Sequence, residues 1–219
     1  MVTLQLRQIN VPPGQRVLFH NVNWSKFESI LEELGEHRAS RIAYDNGTLE
    51  IMTPLPEHEA DKEIIGDLLK ALLEELDIEF LTLGSTTFKN KQMLKGIEPD
   101  QCFYIQHEGE VRGKKRLDLT VDPPPDLALE IDVTSRTHLS TYETLGVPEL
   151  WRRSDRQLQI NVLQGGKYIE VQSSPTFPGF PLKELIPQYV EQSQTLGRNK
   201  TMKAFREWIR GHCNRSSNS

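Results

Sequence analysis

The sequence predicts a mixed α/β domain, a sheet with helices packed on it. Three observations carry that reading. Ile64, Ile65, Leu68, Leu69, Leu72, Leu73 and Leu76 recur at helical spacing. Asn46-Gly47 lies between two short apolar runs, a strong two-residue hairpin signal. Along the chain the order is helix, hairpin, helix, strands, helix, strands, helices.

Each element has a local reason. Residues 1–20 are ambiguous, with Pro12-Pro13-Gly14 making a turn. Ser25-x-x-Glu28 is a capping-box signature, Phe27, Ile30, Leu31 and Leu34 supply a helical face, and Gly35 stops that helix. Arg41 to Asp45 and Thr48 to Thr53 form the hairpin strands, and Pro54 and Pro56 end the second. The long helix then spans about Glu57 to Leu76. Ile78 to Phe88 and Ile97 to Ile105 read as single strands. Residues 106–125 are polar and basic, ending in Asp122-Pro123-Pro124-Pro125, and read as an exposed connection. A strand from Asp126 to Val133 follows, then a short helix from Thr137 to Leu145 closed by Gly146. Leu150 to Arg153, Gln157 to Val162 and Tyr168 to Gln172 read as strands. Lys183 to Gln192, interrupted by Pro187, and Lys200 to Arg210 read as helices.

Composition narrows the class. With 219 residues and 37% apolar content, the chain can build one domain with a real core, expected over 1–210 with a polar, disordered tail at 211–219. The net charge of −5 excludes a protein that is basic as a whole and counts modestly against DNA as partner. Two cysteines, Cys102 and Cys213, make neither a disulfide framework nor a zinc site. No apolar run approaches the ~20 residues of a membrane span, and Met1 to Val17 lacks the apolar core of a signal peptide. A soluble cytoplasmic protein is expected. Neither a Gly-rich phosphate loop nor a G-x-S-x-G elbow is present.

The chemistry concentrates in Gly96-Ile97-Glu98-Pro99-Asp100 and Glu130-Ile131-Asp132. These carboxylates stand in or beside apolar strands, where burial is costly without a partner. A divalent cation would pair them, and convergent carboxylates suit Mg²⁺. Residues 130 and 132 project to the same side of a strand.

Pro99-Asp100 followed by Glu130-x-Asp132 resembles a variant of the PD-(D/E)XK nuclease signature. Gly84 to Phe88, Gly96 to Ile105, Pro124 to Ser135, and Tyr142 with Gly146-Val147-Pro148-Glu149-Leu150-Trp151 resemble the Uma family of restriction-endonuclease-like proteins, from about Trp24 to Val171. The resemblance implies a restriction-endonuclease-like core, a mixed central sheet flanked by helices. It makes Asp100 and Glu130 the ligands of Mg²⁺ or Mn²⁺; strand alternation, which sets Asp132 beside Glu130, lets Asp132 add a third carboxylate. The substrate it implies is DNA, and a homodimer would supply one site per strand.

The departure is the lysine. Asp132 stands where the signature has it, and His138 stands where relatives carry a substitute. His138 could donate a proton but is not a fixed cation. Lys89, Lys91 and Lys95 precede the Pro-Asp motif and could supply the charge, although a solvated loop explains them as well. His58 and Glu59 open the long helix. His58 should face the sheet near the carboxylates, and Glu59 suits either the site or simply a helix N-terminus. Bland alternatives stand beside each: a strand-turn role for Asp100, a structural ion pair with an arginine for Glu130, a solvated strand end for Asp132, a core-edge role for His58, a surface position for His138. Arg112, Lys114, Lys115 and Arg116, then Arg152, Arg153 and Arg156, then Arg198, Lys200, Lys203, Arg206 and Arg210 form local basic groups that could hold phosphates or be solvated surface. The expected function is a Mg-dependent endodeoxyribonuclease. The alternative is a catalytically impaired nuclease fold that binds nucleic acid or protein.

Overall fold

The computed structural model describes residues 8–35, 40–84, 86–131 and 139–216. In chain order the elements are β1 (Arg16–Phe19), α1 (Trp24–Leu34), β2 (Arg41–Asp45), β3 (Thr48–Met52), α2 (Pro56–Glu75), β4 (Leu81–Leu83), β5 (Phe88–Asn90), β6 (Lys95–Ile97), β7 (Gln101–Tyr104), α3 (Glu108–Val111), β8 (Leu127–Ile131), α4 (Leu139–Leu145), β9 (Glu149–Ser154), β10 (Gln157–Gln164), β11 (Lys167–Val171), α5 (Leu182–Leu196) and α6 (Arg198–Ser216).

The strands form the expected mixed central sheet and a second, antiparallel one. One is antiparallel throughout, ordered β1-β3-β2-β6-β5. The other is mixed, ordered β11-β10-β9-β8-β7-β4, with β8 and β9 its parallel pair. A parallel neighbour needs a crossover, and the segment carrying α4 provides it. The hairpin forms as predicted, with Asn46 at φ 44° and Gly47 at φ 89°, both in the left-handed region a two-residue turn requires.

Both long predicted strands split between the sheets. The run from Ile97 to Ile105 becomes β6 in the first sheet and β7 in the second, and Glu98-Pro99-Asp100 is the passage between them. Pro99 has no N–H to extend a ladder, so pairing stops there. The run from Ile78 to Phe88 divides likewise into β4 and β5.

Other boundaries shift for local reasons. The cap of α1 is Asn23, whose Oδ1 accepts from the Lys26 amide at 2.9 Å, so Ser25 lies inside the helix. The 106–125 connection is not wholly exposed: it contains α3, whose Val111 is buried. Pro187 does not break α5, because Leu182, Leu185, Ile186 and Val190 bury one face on both sides of it. The last helix continues past Arg210 to Ser216, into the expected tail. Among the described residues no helix is long and apolar enough to cross a membrane.

The core has three parts. α2, α5 and α6 cover one face of the mixed sheet, with Leu127, Leu129 and Ile131 of β8 and Trp151 of β9 pointing at them. The opposite face of that sheet meets the first sheet and α4 through Cys102, Tyr104, Ala128, Ala43, Ile97 and Tyr142. α1 packs on the far side of the first sheet, against Ile42, Tyr44, Leu49 and Ile51. On the α2 side the Gln101 side chain occupies the space beside Gly66. A Cβ on that glycine would lie 1.8 Å from Gln101 Oε1.

Candidate active site between the two sheets

Strand alternation brings the acids together. In β7 and the residue before it, 100, 102 and 104 share a face, and Cys102 and Tyr104 point into the space between the sheets. In β8, Glu130 shares the face of Ala128, which points the same way. From the first sheet, Arg41 shares its face with Ala43, and Glu50 stands opposite Ala43 in the neighbouring strand. The result is a small pocket lined by Glu50, Glu98, Asp100 and Glu130, with Arg41, Met52, Ile97 and the Ile42–Ala43 strand.

Each acid is held differently. Asp100 is buried, and its Oδ2 accepts the Ile131 amide at 2.8 Å. Its Oδ1 lies 3.7 Å from Arg41 Nε. Burial pushes the Asp100 carboxyl above its ordinary range, against the opposing pull of the Ile131 amide and Arg41. Glu98 is buried by structural duty: its Oε2 accepts the Ile42 amide at 3.1 Å and its Oε1 the Thr87 hydroxyl. Glu130 accepts the hydroxyl of Tyr142 from α4. Burial and the neighbouring Glu130 drive the Tyr142 phenol well above its ordinary value, so it stays a donor. In the parallel pair Glu130 stands directly across from Arg152.

The sequence candidates therefore separate. Asp100 and Glu130 meet in one pocket. Asp132 and His138 lie outside the described residues. Glu59 sits beside the pocket, its Oε1 accepting from Arg41 at 3.1 Å and its Oε2 from Lys62. His58 is half-buried, but it does not line the pocket; its Nε2 lies 3.7 Å from Glu57 Oε1. Among the described residues, no three His, Cys, Asp or Glu side chains are grouped to hold a metal ion.

Two of the three loop lysines are paired away from the pocket, and Lys91 is exposed. Lys89 pairs with Glu28 at 3.1 Å and Lys95 with Asp45. Many of the local basic groups are spent internally. Arg198 pairs with Asp67, Arg206 with Glu74 and Glu75, and Arg210 with Glu75, all joining α6 to α2. Arg153 is buried against Asp61, and Arg112 and Lys114 bind Glu108 and Asp122. Lys115, Arg116, Lys200 and Lys203 stay exposed.

Two residues beside the site were not singled out by sequence. Arg41 enters from the hairpin and Lys62 from α2, far from either acid in the chain. The available signal for Arg41 was its shared face with Ala43 at the mouth of β2. For Lys62 it was its i,i+3 spacing from Glu59.

Comparison with known proteins agrees with this architecture. A crystal structure of a putative nuclease belonging to DUF820 from Anabaena variabilis ATCC 29413 superposes with a TM-score of 0.51 at 12% identity, covering 86% of this chain and 99% of that one. At that identity the likeness concerns the fold. No curated protein matches the sequence. Residues 24–193 match the Uma2 family, described as putative restriction endonuclease. That span covers most of the chain, the hairpin, α2, both site strands and α4 included, and the chain belongs to the Uma2 family.

Proposed function

We propose that this chain is a metal-dependent endonuclease that hydrolyses DNA phosphodiester bonds in the pocket between the two sheets. The observation that supports it most is the convergence of Asp100, just before β7, and Glu130 of β8 on a pocket roofed by the other sheet. The donor set is all oxygen, which suits a hard cation such as Mg²⁺ or Mn²⁺ that keeps several waters. Asp100 and Glu130 would hold it, with Asp132 as third ligand. When bound, the cation polarises the phosphate and acidifies the attacking water.

The chain's own residues position and balance the reaction. The Ile131 amide fixes one oxygen of Asp100 and leaves the other to the pocket. Tyr142 orients Glu130. The water oxygen bonds to phosphorus, its proton passes to a general base, and the P–O bond to the leaving sugar oxygen breaks. That oxygen then takes a proton. A homodimer would place one such site on each strand.

Two measurements test this. Mn²⁺ and Mg²⁺ are titrated calorimetrically into wild type and Asp100→Ala, and plasmid cleavage is followed for wild type and Glu130→Ala. Metal heat lost in Asp100→Ala and cleavage lost in Glu130→Ala are expected. Equal, negligible heats in both proteins would sink the metal site. DNA affinity without cleavage in either protein would instead establish a binding module on a nuclease fold.

A further inference from the structure

We propose that Arg41 grips the scissile phosphate, standing in for the lysine the nuclease signature places two residues after Glu130. The proposal rests on the nuclease reading above. The pocket is lined by four carboxylates, and among the described lining residues Arg41 is the only cation. A phosphodiester brings another negative charge to such a pocket. A divalent cation on Asp100 and Glu130 would still leave the charge of Glu50 and Glu98 for the phosphate to meet, and Arg41 is placed to offset it.

The guanidinium is held but not satisfied. Arg41 Nη2 donates to Glu59 Oε1 at 3.1 Å. Its Nε is buried and has no hydrogen-bond acceptor among the described residues. Asp100 Oδ1, at 3.7 Å, is near enough for charge attraction but too far for a hydrogen bond. A buried donor left unspent is costly, and an acceptor that reaches it removes that cost. An oxyanion entering between Arg41 and Asp100 would take that donor. The planar fork of arginine matches the paired oxygens of a phosphate better than an ammonium does.

The neighbouring cations fit the role less well. Lys62 is taken up by Glu59 and lies 3.6 Å from Glu63, and it does not line the pocket. Arg152 stands across from Glu130 but also does not line it. Glu59 becomes a positioning residue: it fixes the guanidinium by one nitrogen, and Lys62 braces it in turn.

The test is single-turnover cleavage of supercoiled plasmid with Mn²⁺ by wild type, Arg41→Ala, Arg41→Lys and Glu59→Gln, with melting temperatures and Mn²⁺ affinities measured in parallel. Arg41→Ala should cleave on the order of 100-fold more slowly, the loss typical of one donor aimed at developing charge. Added methylguanidinium should restore part of the rate, and Mn²⁺ should bind no more weakly, because a repelling charge has gone. Arg41→Lys keeps the charge but loses the fork and should fall about tenfold. Glu59→Gln should fall less than Arg41→Ala. Wild-type cleavage with an unchanged rate in Arg41→Ala overturns the proposal and leaves the nuclease reading standing. A slow Arg41→Ala that melts far lower and gains nothing from methylguanidinium overturns it in favour of a structural role. If Arg41→Ala fails to fold, Arg41→Lys at the wild-type rate overturns it. Absence of cleavage by wild type with either metal removes both readings together.

Discussion

The backbone amide of Ile131 donates to Asp100 Oδ2 at 2.8 Å, tying the residue that leaves the first sheet to the end of β8 in the second. This bond holds a carboxylate in a place where burial disfavours its charge. The folded protein therefore binds the Asp100 proton more tightly than the unfolded chain, whose ordinary value is 3.8. By linkage, this group's contribution falls as pH rises from that value through the raised folded one, and the full penalty is present above it. Asp100→Asn, which can still accept the amide, should raise Tm at pH 8 and change it little near pH 3. The gain expected is on the order of 1 kcal/mol, roughly 2–4 °C for a chain of this size. Thermal melts of both proteins across that pH range check it, and an equal or lower Tm for the variant at pH 8 refutes it.

Tyr142 should act as a permanent donor to Glu130. Tyr142→Phe removes one hydrogen bond to a charged acceptor and should cost about 1.5–3 kcal/mol in denaturant titration. The loss should be the same at pH 7 and pH 9, because the phenol is held protonated across that interval. A loss that disappears by pH 9 contradicts this.

Arg153 and Lys114 make ion pairs of unlike worth. Arg153 is 4% exposed, its Nε 2.7 Å from Asp61 and its Nη1 3.0 Å from the carbonyl of Arg156. Arg153→Ala should destabilise by roughly 3 kcal/mol, the low end for breaking a buried pair. The Lys114 pair with Asp122 sits in an exposed connection, and Lys114→Ala should cost under about 1 kcal/mol. Comparable urea midpoints for the two variants would show the ranking to be mistaken.

At the join of α6 and α2, hydrogen bonding from Arg210, aided by Arg206, holds the Glu75 carboxyl below its ordinary range. A depressed acid contributes stability above its unfolded value, and that contribution fades as pH falls through the folded one. These pairs face solvent, so Glu75→Gln should cost less than about 1 kcal/mol at pH 7 and nothing at pH 2–3. A larger loss at low pH than at neutral pH, read from melts in parallel buffers, runs against this account.

What the sequence disclosed followed the range of the forces involved. The Asn46-Gly47 turn and α2 were legible because neighbouring residues decide them. Asp100 and Glu130 were legible because strand alternation and the Pro99 break are also local. The family resemblance, now supported by the Uma2 match, joined them. The division into two sheets was not legible: an apolar run shows that a segment is buried, but not beside which strand. Asn23 was missed as a cap because the Ser25-x-x-Glu28 pattern lies only two residues further on. Arg41 was passed over, and the pairing of the α6 arginines went unseen, for one reason. Whether a cation is available depends on which acid folding sets beside it, and no spacing rule reports that.

The Gln101 side chain beside Gly66 has a consequence for how this chain can vary. The absence of a side chain at position 66 lets the Gln101 amide pack directly on α2, which helps to index the helix against β7. Gly66 lies about two turns after Glu59 on α2, and Gln101 directly follows Asp100. The contact thus bears on how Glu59 of the helix and Asp100 before β7 line up. A side chain gained at position 66 would displace the Gln101 amide from beside the helix, and a shorter residue at 101 would make room for it.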